Sequence, residues 1–336
     1  MHDSKIFTDK TILITGGTGS FGQAFTKKLL TENLCKKVII FSRDEMKQWE
    51  MKHSSPIFSH PKIRYFLGDV RDHRRLVRAF NGVDFVVHAA ALKQVPAAEY
   101  NPSEFIYTNI LGGVNVIDAA IDAGVEKVIA LSTDKAVNPI NLYGATKLCS
   151  DKLFISANAY VGAKEKPLIS VVRYGNVAES RGSIIPLWRK MIAEGASSLP
   201  ITDSRMTRFW LTLQEAVEMV AFAFATMQGE EIYVPKIPSI RIADLADALA
   251  PNLSKHYSGI REGEKLHELM ISSDDARHAF DMGEYYLILP EVYAHDPQKH
   301  EKILAGRQGE KVPDGFAYTS NHNEKWLSVK DLQVMV

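Results

Sequence analysis

Tyr143 and Lys147 lie four residues apart in the segment 132–147, which reads STDKAVNPINLYGATK. Four residues are about one turn of an α-helix, so the two side chains can project from the same face. A positive charge beside a tyrosine lowers the pKa of its hydroxyl and allows it to act as a base. The pair therefore predicts a site that oxidises a carbinol, a chemistry that many unrelated reductases share.

The same segment contains a second acid and base, Asp134 and Lys135, directly after the apolar run KVIAL. An Asp-Lys dipeptide elsewhere would be interpreted as a surface salt bridge. Here its position at the predicted exit of a strand, shortly before Tyr143, favours a place in the same site. A site with two acid–base pairs points to a reaction with more than one proton transfer.

A glycine-rich loop, ILITGGTGSFG, joins the first predicted strand to the first predicted helix through Gly16, Gly19 and Gly22. Glycines at these points permit a tight turn and close approach of the backbone to a pyrophosphate, which the helix N-terminus also attracts. A glycine-rich turn is often only a turn, but the strand–loop–helix context favours dinucleotide binding. The residues between the glycines that belong to this predicted site are Thr18, Ser20 and Phe21.

The second predicted strand ends in FSRDE, where the choice between NAD and NADP is made. An acid at this point would accept the ribose hydroxyls of NAD, and Asp44 is close to it. Ser42 and Arg43 instead offer a hydroxyl and a guanidinium suited to a 2′-phosphate, and Lys47 adds a second positive charge. The sequence therefore favours NADP, with a solvated strand end as the alternative.

Two further loops contribute to the predicted cofactor site. After the third strand, Asp69 and Val70 are placed to contact the adenine. After the fourth strand, the small side chains of Ala89, Ala90 and Ala91 would let the backbone approach the cofactor, and Lys93 would point into the cleft. Close helix packing explains the three alanines equally well.

These motifs require a framework of strands and helices that brings loop ends together. Short β-rich runs at 11–15, 37–41, 62–67, 84–90, 127–131 and 169–174 alternate with helical patterns. The alternation predicts an α/β fold, a Rossmann-type doubly wound parallel sheet with right-handed crossovers. The rhythm changes near residue 178, so we expect a dinucleotide-binding domain over 1–177 and a smaller α/β substrate-binding region over 178–336.

Composition excludes several classes of protein. The chain has 336 residues, 46% hydrophobic and 24% charged, and its 40 basic and 40 acidic residues give a formal net charge of zero. This balance gives no electrostatic reason to expect nucleic acid or a membrane surface as a partner. Two cysteines, Cys35 and Cys149, exclude a disulfide scaffold and a four-cysteine zinc site, and no cluster has metal-ligand spacing. Without a signal-like or membrane-spanning run, we expect a cytoplasmic protein.

Taken in order, TGGTGSFG, GDVRD, HAAA, Asn109 and Tyr143-x-x-x-Lys147 resemble the extended short-chain dehydrogenase/reductase family over the whole chain. The segments SRDE, HAAALKQVP, LSTDKAVNPINLYGATK, VRYGNV, SRGS, ITDSRMTRFW and IREGEKLHE look more closely like its inverting UDP-N-acetylglucosamine 4,6-dehydratases of the pseudaminic acid pathway. The resemblance implies NADP as cofactor and UDP-N-acetylglucosamine as substrate.

The resemblance also implies roles for the catalytic candidates. Tyr143 would deprotonate the sugar hydroxyl, Lys147 would lower the pKa of the tyrosine and hold the nicotinamide ribose, and Thr133 would contact the sugar. Related retaining dehydratases carry Asp-Glu where this chain has Asp134-Lys135. Asp134 is implied as the acid for the C6 hydroxyl and Lys135 as the base for the C5 proton, with inversion at C5.

The nucleotide-sugar diphosphate needs cations and polar groups. By match to family segments the candidates are Lys93, Asn176, Arg181, Arg205, Arg208 and Arg261. Two of the four arginines fit structural ion pairs equally well. His267 and Glu268 are expected in a helical pattern, with a packing or surface role.

Three other functions stay open at this point: a nucleotide-sugar 4-epimerase or reductase, a retaining 4,6-dehydratase, and a non-catalytic NADP-binding sensor. The first would leave Lys135 without a role, and the last would have no reason to keep both acid–base pairs. By resemblance the chain is also expected to form a homo-oligomer, a dimer or hexamer, through helices near 95–123 and 141–160.

Overall fold

A computed structural model describes residues 4–161, 166–178, 180, 182–291 and 297–335. In this part of the chain the strands are β1 (Thr11–Thr15), β2 (Lys37–Ser42), β3 (Ile63–Leu67), β4 (Phe85–His88), β5 (Lys127–Thr133), β6 (Leu168–Tyr174), β7 (Asn176–Val177), β8 (Ser198–Ile201), β9 (Thr207–Leu211), β10 (Ile232–Pro235), β11 (Ser239–Arg241), β12 (Ser254–Tyr257), β13 (Leu269–Ile271), β14 (Ala279–Asp281), β15 (Tyr285–Ile288), β16 (Glu310–Lys311) and β17 (Tyr318–Thr319).

The α-helices of the same residues are α1 (Ser20–Thr31), α2 (Glu45–Ser54), α3 (His73–Phe80), α4 (Val95–Tyr100), α5 (Pro102–Phe105), α6 (Gly112–Ala123), α7 (Leu142–Ser156), α8 (Ile184–Ala193), α9 (Leu213–Thr226), α10 (Ile242–Leu249), α11 (Pro297–Leu304) and α12 (Val329–Met335). A π-helical segment, Ile106–Leu111, connects α5 to α6, and a short 3₁₀ turn, Asp134–Ala136, follows β5.

A parallel sheet forms the centre of the molecule. Its strands run in the order β3-β2-β1-β4-β5-β6-β10, and every neighbouring pair in this order is parallel. The order 3-2-1-4-5-6 is that of a Rossmann-type doubly wound fold. The central strands are largely apolar because helices cover both faces; β1, for example, is buried at all five positions, whereas the edge strand β3 exposes Arg64 and Leu67. The predicted fold class is confirmed.

Two apolar layers pack against the sheet. On one face lie α1 and α9, with Phe25 and Phe224 in their core; on the other lie α3, α6 and α7, with Phe80 and Phe154. Local signals set where the helices begin and end. A capping box between Thr212 and Glu215 starts α9, and α6 ends at a glycine in the left-handed region.

The chain after residue 177 does not fold separately from the central sheet, because some of its strands belong to that sheet. Strands β10, β15, β14 and β16 extend the central sheet at one edge, the last three antiparallel to their neighbours. A third core around Trp188, Trp210 and Leu245 joins α8, α10 and α12 with short strands. The division at residue 177 therefore stays a proposal about which ligand each part binds, since the two parts share one sheet.

The six predicted strands and the helical patterns of the first half all occur as regular elements. The expected helical pattern at His267 and Glu268 is wrong: this segment is irregular and leads into β13. The periodicity was misleading because the buried residues here face the end of β5 and not a helical interface.

Candidate active site

A cleft of about 660 Å³ opens at the carboxyl ends of the parallel strands. It is lined by the loops that follow β1 to β6, because parallel strands bring their carboxyl ends to one edge of the sheet. Every residue predicted to bind the cofactor lines this cleft: Gly16, Thr18, Gly19, Ser20, Phe21, Gly22, Ser42, Arg43, Asp44, Lys47, Asp69, Val70, Ala89, Ala90, Ala91, Lys93, Tyr143 and Lys147. Sequence motifs far apart in the chain thus meet at one site.

The glycine loop lies against the backbone that follows β4. Gly16 has φ +65°, and a Cβ atom on it would lie 2.9 Å from the Ala90 Cα. Gly19 begins α1 without a side-chain cap, and Ser20 to Gly22, the first turn of that helix, line the cleft. A narrow glycine loop that leads into a helix N-terminus fits the pyrophosphate of a dinucleotide.

The end of β2 presents positive charge to the cleft. Arg43 is exposed, with its Nη1 3.9 Å from the Asp69 carboxylate, and Lys47 lies 3.4 Å from Asp44. The Asp44 carboxylate accepts the backbone N–H of Lys47 at 3.0 Å and thereby caps α2. Asp44, the acid that directly follows Arg43, is therefore engaged by its own helix.

Asn109 holds the loop after β4 in place. Its side-chain amide bonds both backbone groups of Leu92, each at 2.9 Å, and donates to the Thr146 hydroxyl at 3.0 Å. The asparagine lies in the π-helical segment and links this loop to α7. The loop that carries Lys93 is therefore fixed against the helix that carries Tyr143.

Tyr143 and Lys147 lie on the buried face of α7, as their spacing predicted. The Lys147 ammonium donates to the Leu131 carbonyl at 2.8 Å. Burial raises the pKa of Tyr143 to about 12, and the strongest opposing influence is the charge of Lys135. Burial lowers the pKa of Lys147. The sequence paired the tyrosine with Lys147 and missed that Lys135 lies close enough to act on it.

Asp134 and Lys135 form an ion pair at the cleft and not a surface salt bridge, since the Asp134 side chain is buried and the Lys135 side chain is only 24% exposed. The Lys135 Nζ lies 3.0 Å from the Asp134 Oδ1 and 3.5 Å from the Glu268 Oε1, and Asp134 is fully buried. Thr133 donates to the same Asp134 oxygen at 2.9 Å. Burial alone would lower the pKa of Lys135, but Asp134 and then Glu268 outweigh it and raise the pKa. Lys135 is therefore held as an ammonium.

Three polar atoms of the cleft are buried without a hydrogen-bond partner among the described residues. They are the Asn176 Oδ1, the Thr108 Oγ1 and the Ser183 Oγ. Buried polar groups are normally satisfied, so these atoms indicate a polar ligand. Asn176 was a sequence candidate. Thr108 and Ser183 were missed, since a lone hydroxyl residue gives no signal in the sequence until the fold brings it to the cleft.

The arginine candidates are engaged by acids and do not line the described part of the cleft. Arg205 pairs with Asp203 at 2.8 Å, and Arg261 forms two hydrogen bonds of 3.0 Å to Glu264. Arg208 is buried between Glu264 at 3.4 Å and Glu268 at 3.7 Å. The ion-pair alternative thus describes all three, and Arg181 lies outside the described residues.

The described residues contain no group of three or more His, Cys, Asp or Glu placed to hold a metal ion. Within the same residues, no helix combines the length and the apolar character that crossing a membrane requires.

Comparison with known proteins places these features in a family. Residues 12–290 match the family described as polysaccharide biosynthesis protein. The chain is 56% identical over 328 residues, 97% of both chains, to the UDP-N-acetylglucosamine 4,6-dehydratase (inverting) of Campylobacter jejuni subsp. jejuni serotype O:2. It is 41% identical over 338 residues, 98% of this chain and 96% of the other, to the UDP-glucose 4-epimerase of Rickettsia canadensis.

Solved structures agree with this placement. The X-ray structure of Pen from Bacillus thuringiensis is 33% identical, with a TM-score of 0.87 over 98% of this chain and 97% of the other. DesIV, a dTDP-glucose 4,6-dehydratase from Streptomyces venezuelae with NAD bound, is 25% identical, with a TM-score of 0.68 over 76% of this chain and 86% of the other. The chain therefore belongs to the polysaccharide biosynthesis protein family, and the resemblance to extended short-chain dehydrogenase/reductase dehydratases that its motifs predicted is confirmed.

Proposed function

We propose that this protein is an NADP-dependent hydro-lyase that converts UDP-N-acetylglucosamine to UDP-2-acetamido-2,6-dideoxy-β-L-arabino-hex-4-ulose, with inversion at C5. The observation that carries the proposal is the ion pair between the buried Asp134 and Lys135, which lines the cleft together with Tyr143 and the glycine loop. The 56% identity to an inverting dehydratase supports the same reaction.

The residues divide the proton transfers between them. Tyr143 takes the proton of the C4 hydroxyl, with the positive charge of Lys135 opposing the effect of burial on the tyrosine. The resulting C4 ketone makes the C5 proton acidic. Lys135 first passes its own proton to the Asp134 carboxylate, 3.0 Å away, and the resulting amine removes the C5 proton. Asp134 then gives the proton that it received to the C6 hydroxyl, which leaves as water. Each such positioned group contributes about 10²–10⁴-fold in rate.

The cleft fits a nicotinamide dinucleotide, because the glycine loop approaches the β4 loop as closely as a pyrophosphate site requires. When bound, NADP supplies the acceptor for the C4 hydride and its return to C6. Arg43 and Lys47 suit a 2′-phosphate, and Asp44, which would otherwise accept ribose hydroxyls, is engaged in capping α2. This arrangement supports NADP over NAD.

The test is incubation with UDP-N-acetylglucosamine in D₂O, followed by NMR. We expect a 4-keto-6-deoxy sugar with deuterium at an inverted C5. A Lys135→Arg variant keeps the positive charge that acts on Tyr143 but cannot lose a proton to serve as the base, so it is expected to oxidise C4 and lose elimination. Lys152→Arg, at an exposed lysine of α7, is the matched control. Retained C5 configuration in the first product contradicts the inverting assignment, and full dehydration by the Lys135 variant removes it as the base.

A 4-epimerase is the second candidate, favoured by the 41% identity to a UDP-glucose 4-epimerase. An epimerase requires only the oxidation at C4 that Tyr143 assists, and it leaves Lys135 without a role as a base. Under the same experiment it would invert C4, retain the C6 hydroxyl and incorporate no deuterium at C5. The two functions therefore give separate products in one measurement.

We place the reaction at the start of pseudaminic acid biosynthesis, for flagellin or surface glycan modification, in the cytoplasm. We also propose a homo-oligomer. Exposed apolar side chains on the helices near residue 100 support it: Tyr100, Ile106, Tyr107 and Leu111. Sedimentation of the wild type against a Tyr107→Glu/Leu111→Glu variant tests the interface, and an unchanged mass for the variant would place it elsewhere.

A further inference from the structure

Glu268 lies between the predicted catalytic base and the predicted substrate arginines. Its side chain is 3% exposed, with Oε1 3.5 Å from the Lys135 Nζ and 3.7 Å from the Arg208 Nε. Its Oε2 is buried and has no hydrogen-bond partner among the described residues. The residue comes from the segment before β13, far from Lys135 in sequence, so the contact joins the two regions of the chain.

Hydrogen bonds on both sides of Glu268 fix its backbone. The Glu268 N–H donates to the Ser320 Oγ at 2.9 Å, and the Ser320 N–H donates to the Glu268 carbonyl at 2.9 Å. Ser320 is itself bonded to the Thr207 hydroxyl at 2.7 Å. These bonds tie the segment to β9 and to the residue after β17.

Burying a carboxylate in this position costs free energy unless a nearby cation compensates its charge. Burial of a charge without full hydrogen bonding costs several kcal/mol, and one Glu268 oxygen is left unsatisfied. Arg208 alone does not explain the residue, because Glu264 already lies 3.4 Å from that guanidinium. Lys135 is the second cation within reach of Glu268 and, unlike Arg208, it lines the cleft.

We infer that Glu268 is a positioning residue, which fixes the Lys135 side chain opposite Asp134 and beside the reacting centre. The catalytic role in this inference rests on the proposed function, whereas the contact between Glu268 and Lys135 does not. The charged and titratable groups that act on Lys135 or share its surroundings come from several elements: Asp134, Glu268, Arg208, Lys93, Lys265 and Tyr143.

These groups determine the direction in which the loss of the Glu268 charge shifts the pKa of Lys135. Asp134 and Glu268 raise the pKa of Lys135, while burial and Arg208 lower it. Removing one of the two negative charges leaves the lowering influences less opposed. A Glu268→Gln variant keeps the shape of the side chain and is therefore expected to lower the pKa of Lys135.

The first measurement needs no turnover. In protein with ¹³C-labelled lysine, the Lys135 signal is assigned by its loss in Lys135→Arg and followed from about pH 7 to 11, a window that ends just above the usual lysine pKa. We expect the Lys135 signal to begin to titrate at lower pH in Glu268→Gln than in the wild type. Glu231→Gln, at another buried glutamate paired with an arginine, controls for the loss of a buried carboxylate. The same Lys135 titration in wild type and Glu268→Gln would overturn the inference.

The second measurement uses the reaction. Glu268→Gln is expected to lower kcat for dehydration by about tenfold, a part of the about 10²–10⁴-fold that a positioned general base contributes, with KM within about twofold. Its pH–rate profile is expected to rise at lower pH than that of the wild type, and Glu268→Asp to recover part of kcat. A loss confined to KM, or an unmoved pH profile, would reduce Glu268 to a packing role. If no variant or wild type turns over UDP-N-acetylglucosamine, the proposed function fails, while the NMR result still decides the position of Lys135.

Discussion

The cofactor side of the cleft and the predicted diphosphate clamp are built from different parts of the chain. On the cofactor side, backbone atoms of residues 16–22 and 89–91 approach each other so closely that a Cβ on Gly16 would lie 2.9 Å from Ala90. The clamp candidates Arg205, Arg208 and Arg261 are long side chains that bind Asp203, Glu264 and Glu268. A backbone cradle is shaped by the fold, whereas a diphosphate must compete with carboxylates for these arginines. One carbon atom added to the glycine loop should therefore strongly weaken cofactor binding. Removal of single arginines should weaken nucleotide-sugar binding step by step.

The largest effect is expected from Gly16→Ala. The new methyl group meets the Ala90 backbone, and a left-handed φ of +65° adds strain, so cofactor affinity should fall about 100-fold, or ~3 kcal/mol. Gly124→Ala is the control, since Gly124 has φ +67° with nothing within 4 Å of a Cβ. Titration of tryptophan fluorescence with NADPH measures both. Equal losses would attribute the effect to backbone strain and not to the close approach.

Arg43→Ala should change cofactor preference by about 10–100-fold, because charge-assisted hydrogen bonds contribute ~1.5–3 kcal/mol. Affinity for NADP should fall while affinity for NAD stays constant. Arg71→Ala is matched to it, since Arg71 also pairs with Asp69 but does not line the cleft. Calorimetry with each dinucleotide decides. A parallel loss of both would mean that Arg43 supports the loop and does not bind a 2′-phosphate.

Arg261→Ala tests the side-chain clamp and should raise KM for the nucleotide sugar by about tenfold, one charged contact among several. NADP affinity should not change. Arg277→Ala, which removes a similarly exposed arginine from a similar pair with Asp274, is the control. If the arginine is purely structural, steady-state kinetics of the two variants will agree.

The smallest effect concerns stability on the cofactor side. His88 is buried, bonded to the Thr15 hydroxyl at 2.8 Å and stacked on Phe154, and burial, assisted by Lys147, lowers its pKa to about 3. With an unfolded pKa of about 6.5, its stabilising contribution is present above pH 6.5 and is lost as pH falls toward 3. Between pH 7.5 and 5.5 the loss is about 1.4 kcal/mol. Urea unfolding of His88→Gln should lack this part of the pH dependence, and the exposed His53→Gln should keep it; a His88 variant with the wild-type dependence contradicts the assignment.

Much of the cofactor side was predictable because its signals are local. Gly16, Gly19 and Gly22 encode a turn through their own backbone freedom, and the apolar run at 11–15 encodes a strand buried on both faces. The spacing of Tyr143 and Lys147 encodes one helix face. Each inference needed only neighbours in sequence, and each of these elements occurs where it was expected.

The substrate side depended on contacts between distant segments. No spacing in the sequence relates Glu268 to Lys135, and its neighbours suggested a helix where the structure has an irregular approach to β13. The arginines were recognisable as cations. Their acidic partners were not, because the fold determines which carboxylates lie close enough to form ion pairs with them.

By itself the sequence determined the parallel sheet, the dinucleotide loop and the two acid–base pairs, since backbone conformation and apolar periodicity are properties of short segments. Only the tertiary structure decided how those pairs are charged. Packing the segment before β13 against the end of β5 buries Asp134 and Glu268 around Lys135, and in a medium of low polarity that proximity outweighs the cost of burial for the ammonium.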